Sequence, residues 1–110
     1  MTFARACAAA DVVFNRPRAA TVGGVPVVVI STDEGWFAIH DECSHAEVPL
    51  SDGDVEDCHI ECYMHGSRFD LRTGWPDQLP ATMPVPIYPI SIEGDDVLVD
   101  IAHPYHFEEN

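Results

Sequence analysis

Lysine is missing from this 110-residue chain, and five arginines face 19 acidic residues for a net charge of −14. Phosphate recognition needs a basic face, so nucleic acid is excluded as a partner. An anionic membrane surface is disfavoured for the same reason. Long apolar runs are missing too. The Val- and Ile-rich run from Val25 to Ile30 has the length of a strand and falls far short of the ~20 residues that cross a bilayer. The Ala-rich start lacks a basic region followed by a Leu/Val-rich stretch, and Asp11 follows at once. It therefore reads as mature sequence, and the protein is expected in the cytoplasm. Internal repeats, low-complexity segments and long helical periods are also lacking. The surplus of negative charge favours solubility and steers the molecule toward proteins with basic docking patches.

What is there reads as one mostly β domain over 1–110. Apolar residues on both sides of Gly23-Gly24 predict a hairpin, with Val25 to Ser31 as its second strand. A turn at Asp33-Glu34-Gly35 leads into a strand from Trp36 to Ile39. From about 41 to 77 the texture changes to Cys, His, Gly and acidic residues. Such a stretch builds little core of its own, so a cofactor is expected to organise it. Short strands are predicted there at Val55–Glu56, His59–Glu61 and Arg68–Asp70, separated by turns at 51–54 and at Thr73-Gly74. Pro80, Pro84, Pro86 and Pro89 make the segment from Leu79 to Pro89 a stiff connector. Strands are expected again at Ile90–Ile92 and Val97–Ile101, with a loose tail from His103. A short helical turn near Ala8–Asp11 is compatible with the pattern.

The residues that carry chemistry are Cys43-Ser44-His45 and Cys62-Tyr63-Met64-His65. As spacing this is C-x-H, sixteen residues, then C-x-x-H. Each loop offers one thiolate and one imidazole, a donor set that suits zinc, copper or iron–sulfur chemistry. Zinc takes two Cys and two His readily, but its usual loops are C-x₂₋₄-C and H-x₃₋₅-H.

Other stretches carry a family resemblance. Leu50-Ser51-Asp52-Gly53, His65-Gly66-Ser67-Arg68-Phe69-Asp70, Thr73-Gly74, Leu79-Pro80-Ala81, Tyr88-Pro89-Ile90 and Asp96-Val97, together with the two loops, resemble Rieske ferredoxins over roughly Trp36 to Ile101. The resemblance implies an all-β Rieske fold. Its base is an antiparallel meander or sandwich, and a small cluster-binding subdomain is inserted at about 41–77. It implies one [2Fe–2S] cluster per chain, with Cys43 and Cys62 on the inner iron and His45 and His65 on the outer iron. Two ferric irons, two sulfides, two thiolates and two neutral imidazoles sum to zero charge, against −2 for an all-Cys cluster. The electron is therefore accepted more easily, at about −150 to +300 mV against about −400 mV for plant-type ferredoxins.

High-potential members of the family carry two further cysteines that form a disulfide, where this chain has Val48 and Met64. They also place a Ser and a Tyr whose hydroxyls bond cluster sulfurs. Ser67 matches the first, and Phe69 replaces the second. Fewer donors to sulfur stabilise the reduced cluster less. The resemblance is therefore to the low-potential kind, the ferredoxin component of bacterial aromatic-ring-hydroxylating dioxygenase systems. It implies a monomeric carrier, not itself an enzyme. The carrier takes single electrons from a flavin-containing NAD(P)H-dependent reductase to a terminal oxygenase. By the same resemblance, Ala46, Glu47, Val48, Pro49, Trp75 and Pro76 form the docking rim.

Two alternatives stay open from sequence. One is the small Rieske subunit of an assimilatory nitrite reductase, and the other is a zinc-binding interaction module. Cys7 and Cys58 read as buried packing residues, with Cys58 on a strand. His40, His103 and His106 read as solvated or hydrogen-bonded, and Trp36 as core.

Overall fold

The computed structural model describes residues 3–44, 47–64, 66–79 and 81–104. Val27 to Ile30 explain how the chain is organised. These four consecutive residues are all fully buried, which a strand shows only when both of its faces are covered. They lie in β3 (Val25–Thr32). Val27 and Val29 enter one core, and Val28 and Ile30 enter another. Alternation along one strand thus serves two cores.

The first core is the base. β3 stands in a four-stranded antiparallel sheet between β2 (Arg18–Val22) and β4 (Gly35–His40), with β8 (Ile87–Tyr88) beyond β4. Val22 pairs with Val25 across Gly23-Gly24. Both glycines have positive φ, +56° and +82°, as a two-residue hairpin turn of the primed type requires. Thr32 pairs with Gly35 across Asp33-Glu34. The second base sheet has the order β1 (Ala4–Ala8), β10 (Asp96–Val99), β9 (Ile90–Glu93). Cys7, Val22, Val27, Val29, Ala38, Tyr88, Val97 and Val99 fill the space between the sheets. A 3-10 turn at Ala9–Asp11 follows β1.

The second core belongs to the inserted unit. β5 (Asp54–Glu56), β6 (His59–Glu61) and β7 (Arg68–Asp70) form a three-stranded antiparallel sheet. Ile60, Phe69, Leu50 and Leu71 from this unit pack with Val28, Ile30 and Ile39 of the base. Arg72 ties the two parts outside the core. It reaches Asp70 at 2.9 Å, and Glu34 of the β3–β4 turn at 3.0 Å.

The sequence reading needs four corrections. The N-terminal segment is a strand, β1. The proline-rich connector contains a two-residue strand, β8. β10 ends at Val99, before Ile101. Cys58 is not on a strand: Asp57 and Cys58, at φ +54° and +60°, are the turn between β5 and β6.

Candidate metal centre

Each of the two predicted ligand loops is closed by one main-chain bond of the same span. The Cys43 N–H donates to the Val48 carbonyl at 3.0 Å, and the Cys62 N–H donates to the Ser67 carbonyl at 2.7 Å. Both bonds run from the cysteine to the residue five further on, so each loop turns back on its own cysteine. In the second loop Gly66, at φ +78°, also donates to the Cys62 carbonyl at 3.1 Å. A left-handed residue at that point is what glycine permits most cheaply.

The loops are anchored by their neighbours. Cys43 follows β4, and Asp41 clamps the approach: its carboxylate accepts from the Ser51 N–H and the Ser51 hydroxyl, each at 2.7 Å. Cys62 directly follows β6, and Ser67 directly precedes β7. Between the loops, Leu50 is fully buried in a 3-10 turn, Leu50–Asp52. Gly53 presses so closely on β6 that the Glu61 carbonyl occupies the room a Cβ would need.

Cys43 and Cys62 are buried in one core cluster, 4 % and 1 % exposed. His45, His65 and Ala46 lie outside the described residues. Among the described residues no three His, Cys, Asp or Glu side chains gather as a metal would require, in keeping with two imidazoles of the predicted set lying outside them. The donor chemistry fits a [2Fe–2S] cluster. Two thiol-bearing loops start inside one apolar core, and no disulfide joins any of the four cysteines. An apolar surround lowers the local dielectric, which sets a cluster's potential.

The remaining candidates have other work. Cys7 and Cys58 are buried, and burial pushes both thiols up. The Cys58 sulfur stands 4.0 Å from the Thr32 hydroxyl, so it packs against the base. His40 Nδ1 meets the Tyr88 hydroxyl at 3.1 Å, and His103 Nδ1 meets Asp100 at 2.7 Å. His106 lies outside the described residues. Trp36 packs on the base core. Trp75 is half-buried, and its carbonyl accepts from the Asp70 N–H at 2.9 Å. Phe69, with no hydroxyl to offer, is fully buried.

Of the expected rim, Glu47 and Pro49 are exposed, and Val48 and Pro76 are partly covered. Sequence reasoning missed an apolar set nearby. Tyr63 and Met64 on the second loop, and Leu79 and Met83 on the proline-rich stretch, are 48–76 % exposed. Their exposure is a property of the fold, and residue type alone did not mark them.

Comparison with known proteins agrees with this geometry. The model of the Rieske [2Fe-2S] domain matches residues 2–89. The ferredoxin component of biphenyl 2,3-dioxygenase from Rhodococcus jostii (strain RHA1) is 37 % identical over 101 residues, 92 % of this chain and 94 % of that protein. The ferredoxin of carbazole 1,9a-dioxygenase from Nocardioides aromaticivorans IC177 superposes with a TM-score of 0.84 at 36 % identity, covering 90 % of this chain and 97 % of that one. A ferredoxin solved in complex with the oxygenase of carbazole 1,9a-dioxygenase superposes at 0.82 with 29 % identity, covering 97 % of each chain. Among the described residues no helix is long and apolar enough to cross a membrane. On its sequence, its paired cysteine loops and these relatives, the chain belongs to the Rieske [2Fe–2S] domain family, carries a Rieske-type cluster, and is an electron carrier rather than an enzyme in its own right.

Proposed function

We propose that Cys43 and Cys62 hold the inner iron, and His45 and His65 the outer iron, of the [2Fe–2S] cluster. The carrier then serves an aromatic-ring-hydroxylating dioxygenase, receiving electrons from a flavin-containing NAD(P)H-dependent reductase and delivering them to the terminal oxygenase. The observation that carries this reading is the pair of equivalent loop closures, each starting at a buried cysteine of one core. The relatives support it, because they are ferredoxins of such systems and one is seen with its oxygenase.

When bound, the cluster supplies a one-electron couple. The chain's residues hold it and shape its approach. The buried cysteines keep one side of the site away from water. The histidines stand two and three residues further along the same loops, and on this reading they face the partner. Tyr63, Met64, Leu79 and Met83, all exposed, supply apolar adhesion for the partner, and Glu42 and Glu47, both exposed, supply steering. Residues 1–110 act as one domain, with 41–77 as the cluster-binding unit, and the protein works as a monomer in the cytoplasm.

EPR of the dithionite-reduced protein tests the ligand reading, with iron and acid-labile sulfide counted on the same sample. The expected result is a rhombic signal with average g below the free-electron value, and about two irons and two sulfides. Loss of that signal in Cys62→Ser and in His65→Ala, but not in Cys58→Ala, assigns the ligands. One zinc with no sulfide would overturn the reading in favour of a zinc module. Stable co-purification with a large sirohaem protein would favour the nitrite reductase subunit.

A further inference from the structure

Arg16 is the exception among the arginines. Arg5, Arg18, Arg68 and Arg72 each have a carboxylate at 2.8–3.9 Å. Arg16 is exposed and has none among the described residues. It closes a tight turn ahead of β2. The Arg16 N–H donates to the Val13 carbonyl at 3.0 Å, and the Asn15 N–H donates to the Ser31 carbonyl at 2.8 Å. Asn15 is left-handed there, at φ +57°. The turn leaves Phe14 57 % exposed. It also leaves the Asn15 Oδ1 buried with no hydrogen-bond partner among the described residues. A buried acceptor without a donor is held at a cost, which a donor arriving at the turn would remove.

This turn stands across from the free edge of the inserted sheet. A groove of about 590 Å³ runs between them, with Phe14–Pro17 on one wall and Ser51 and Gly53–Val55 on the other. β5 is the edge strand of its sheet. The two-residue turn Asp57-Cys58 makes Glu56 and His59 a hydrogen-bonded pair, so Val55 and Ile60 form the non-bonded pair that follows. The Val55 N–H and carbonyl therefore point away from β6. No main-chain bond takes either of them among the described residues. An open edge of this kind is a template for another strand. No described residue of either ligand loop lines the groove.

We propose that the groove is a docking site for an extended segment of a partner protein, which adds a strand to β5 and places one carboxylate on Arg16. Main-chain pairing with Val55 calls for a polypeptide and not a small molecule. Arg16 supplies the complementary charge, Phe14 an apolar face for an alternate side chain, and Asn15 an acceptor for a further N–H. Asp54 lines the same groove, and the chain carries −14 overall, so the segment that fits is otherwise neutral. Docking there leaves both ligand loops uncovered. The carrier can therefore be tethered to a partner and still present them.

The probe is a capped heptapeptide of alternating valine and threonine with one central glutamate. It is titrated into the cluster-loaded protein and followed by calorimetry and by hydrogen exchange of the Val55 amide. Binding is expected to slow that exchange. Arg16→Gln is expected to weaken binding by up to about fivefold, the scale of an exposed ion pair, and to leave affinity for the matching glutamine peptide unchanged. Asn15→Gly suits the left-handed turn and removes the orphan oxygen, so it is expected to weaken both peptides by about two- to tenfold. Methylating the main-chain nitrogens of the peptide is expected to abolish binding. Absence of binding at millimolar peptide overturns the proposal, as does equal affinity in wild type, Arg16→Gln and Asn15→Gly. A Val55 amide already protected in the free protein overturns it too, because the edge would then be filled by this chain or by a second copy.

Discussion

Replacing Gly53 by alanine should damage the protein by crowding alone, and the structure says by how much. Gly53 has φ −95°, a value any residue adopts, so no conformational penalty applies. The difficulty is space. A Cβ there would fall well inside contact distance of the Glu61 carbonyl oxygen, 2.9 Å from the Glu61 carbonyl carbon and 3.3 Å from the Leu50 carbonyl oxygen. All three atoms are main chain, so no side chain can swing aside. Glu61 is paired to Asp54 and Arg68 on either side and directly precedes Cys62. Overpacking costs about 1–3 kcal/mol, occasionally more, and this site belongs at the upper end. About 3 kcal/mol lowers the melting temperature of a domain this size by roughly 10–20 °C. The displaced Glu61 should also carry Cys62 with it and reduce iron content. Gly24→Ala is the control. Its φ is +82° and nothing lies within 4 Å of its Cβ, so it incurs only the conformational penalty, about 1 kcal/mol, with full iron occupancy. Thermal melts and iron counts on both variants decide the point. A Gly53→Ala protein that melts with wild type and holds its iron would refute the crowding argument.

Cys58 should resist alkylation by iodoacetamide at neutral pH in the folded protein, because burial raises its thiol and the thiolate is the nucleophile. Rapid labelling under native conditions would contradict that. Arg72→Ala should cost about 1 kcal/mol in urea titrations at neutral pH, the scale of a partly exposed ion-pair network, since it removes links to both Asp70 and Glu34. Burial pushes the Asp70 carboxyl up, but the Arg72 bonds outweigh it and hold that carboxyl below its ordinary value. The contribution is therefore present above the ordinary carboxylate range and lost as pH falls through the depressed value. The gap between wild type and Arg72→Ala should close in acid, and a gap constant with pH would remove Asp70 from the account. Chelation of iron from the reduced protein should lower urea resistance, because the energy of binding at this site is folding energy. Unchanged unfolding midpoints after iron loss would show that the two cores suffice.

The inserted three-stranded unit was legible for a local reason. Its strands are three residues long, and their ends are marked by turn residues such as Ser51-Asp52-Gly53 and Thr73-Gly74, so 54–56, 59–61 and 68–70 could be bounded almost to the residue. The Asp57-Cys58 turn escaped because a two-residue turn with both residues at positive φ is usually marked by Asn-Gly or Asp-Gly, and here a cysteine takes the glycine position. β1 escaped for a non-local reason. Ala4–Ala8 has no apolar alternation of its own, and it becomes a strand through pairing with β10, some ninety residues away, across an irregularity between Arg5 and Cys7. β8 was hidden by its prolines. Pro86 and Pro89 bracket a pairing with β4 only two residues long, which an edge position tolerates and a central one would not.

The same contrast explains what the sequence showed of the site itself. Cys43 and Cys62 stood out because thiol and imidazole at short spacing have few other uses, and residue type and spacing alone carry that signal. Asp41 and Ser44 carry no such mark, since Asp and Ser are common and their value here comes from what they reach, and Ser67 stood out only through the family resemblance. Asp41 reaches Ser51 ten residues on, and Ser44 reaches Met83 thirty-nine residues on. Donor atoms are chosen by chemistry and can be read from residue type. The bonds that aim them join segments far apart in the chain, and only the folded arrangement reveals them. The potential of such a carrier depends on both sets. Two ferredoxins with the same four ligands can therefore differ in driving force through residues whose types look ordinary.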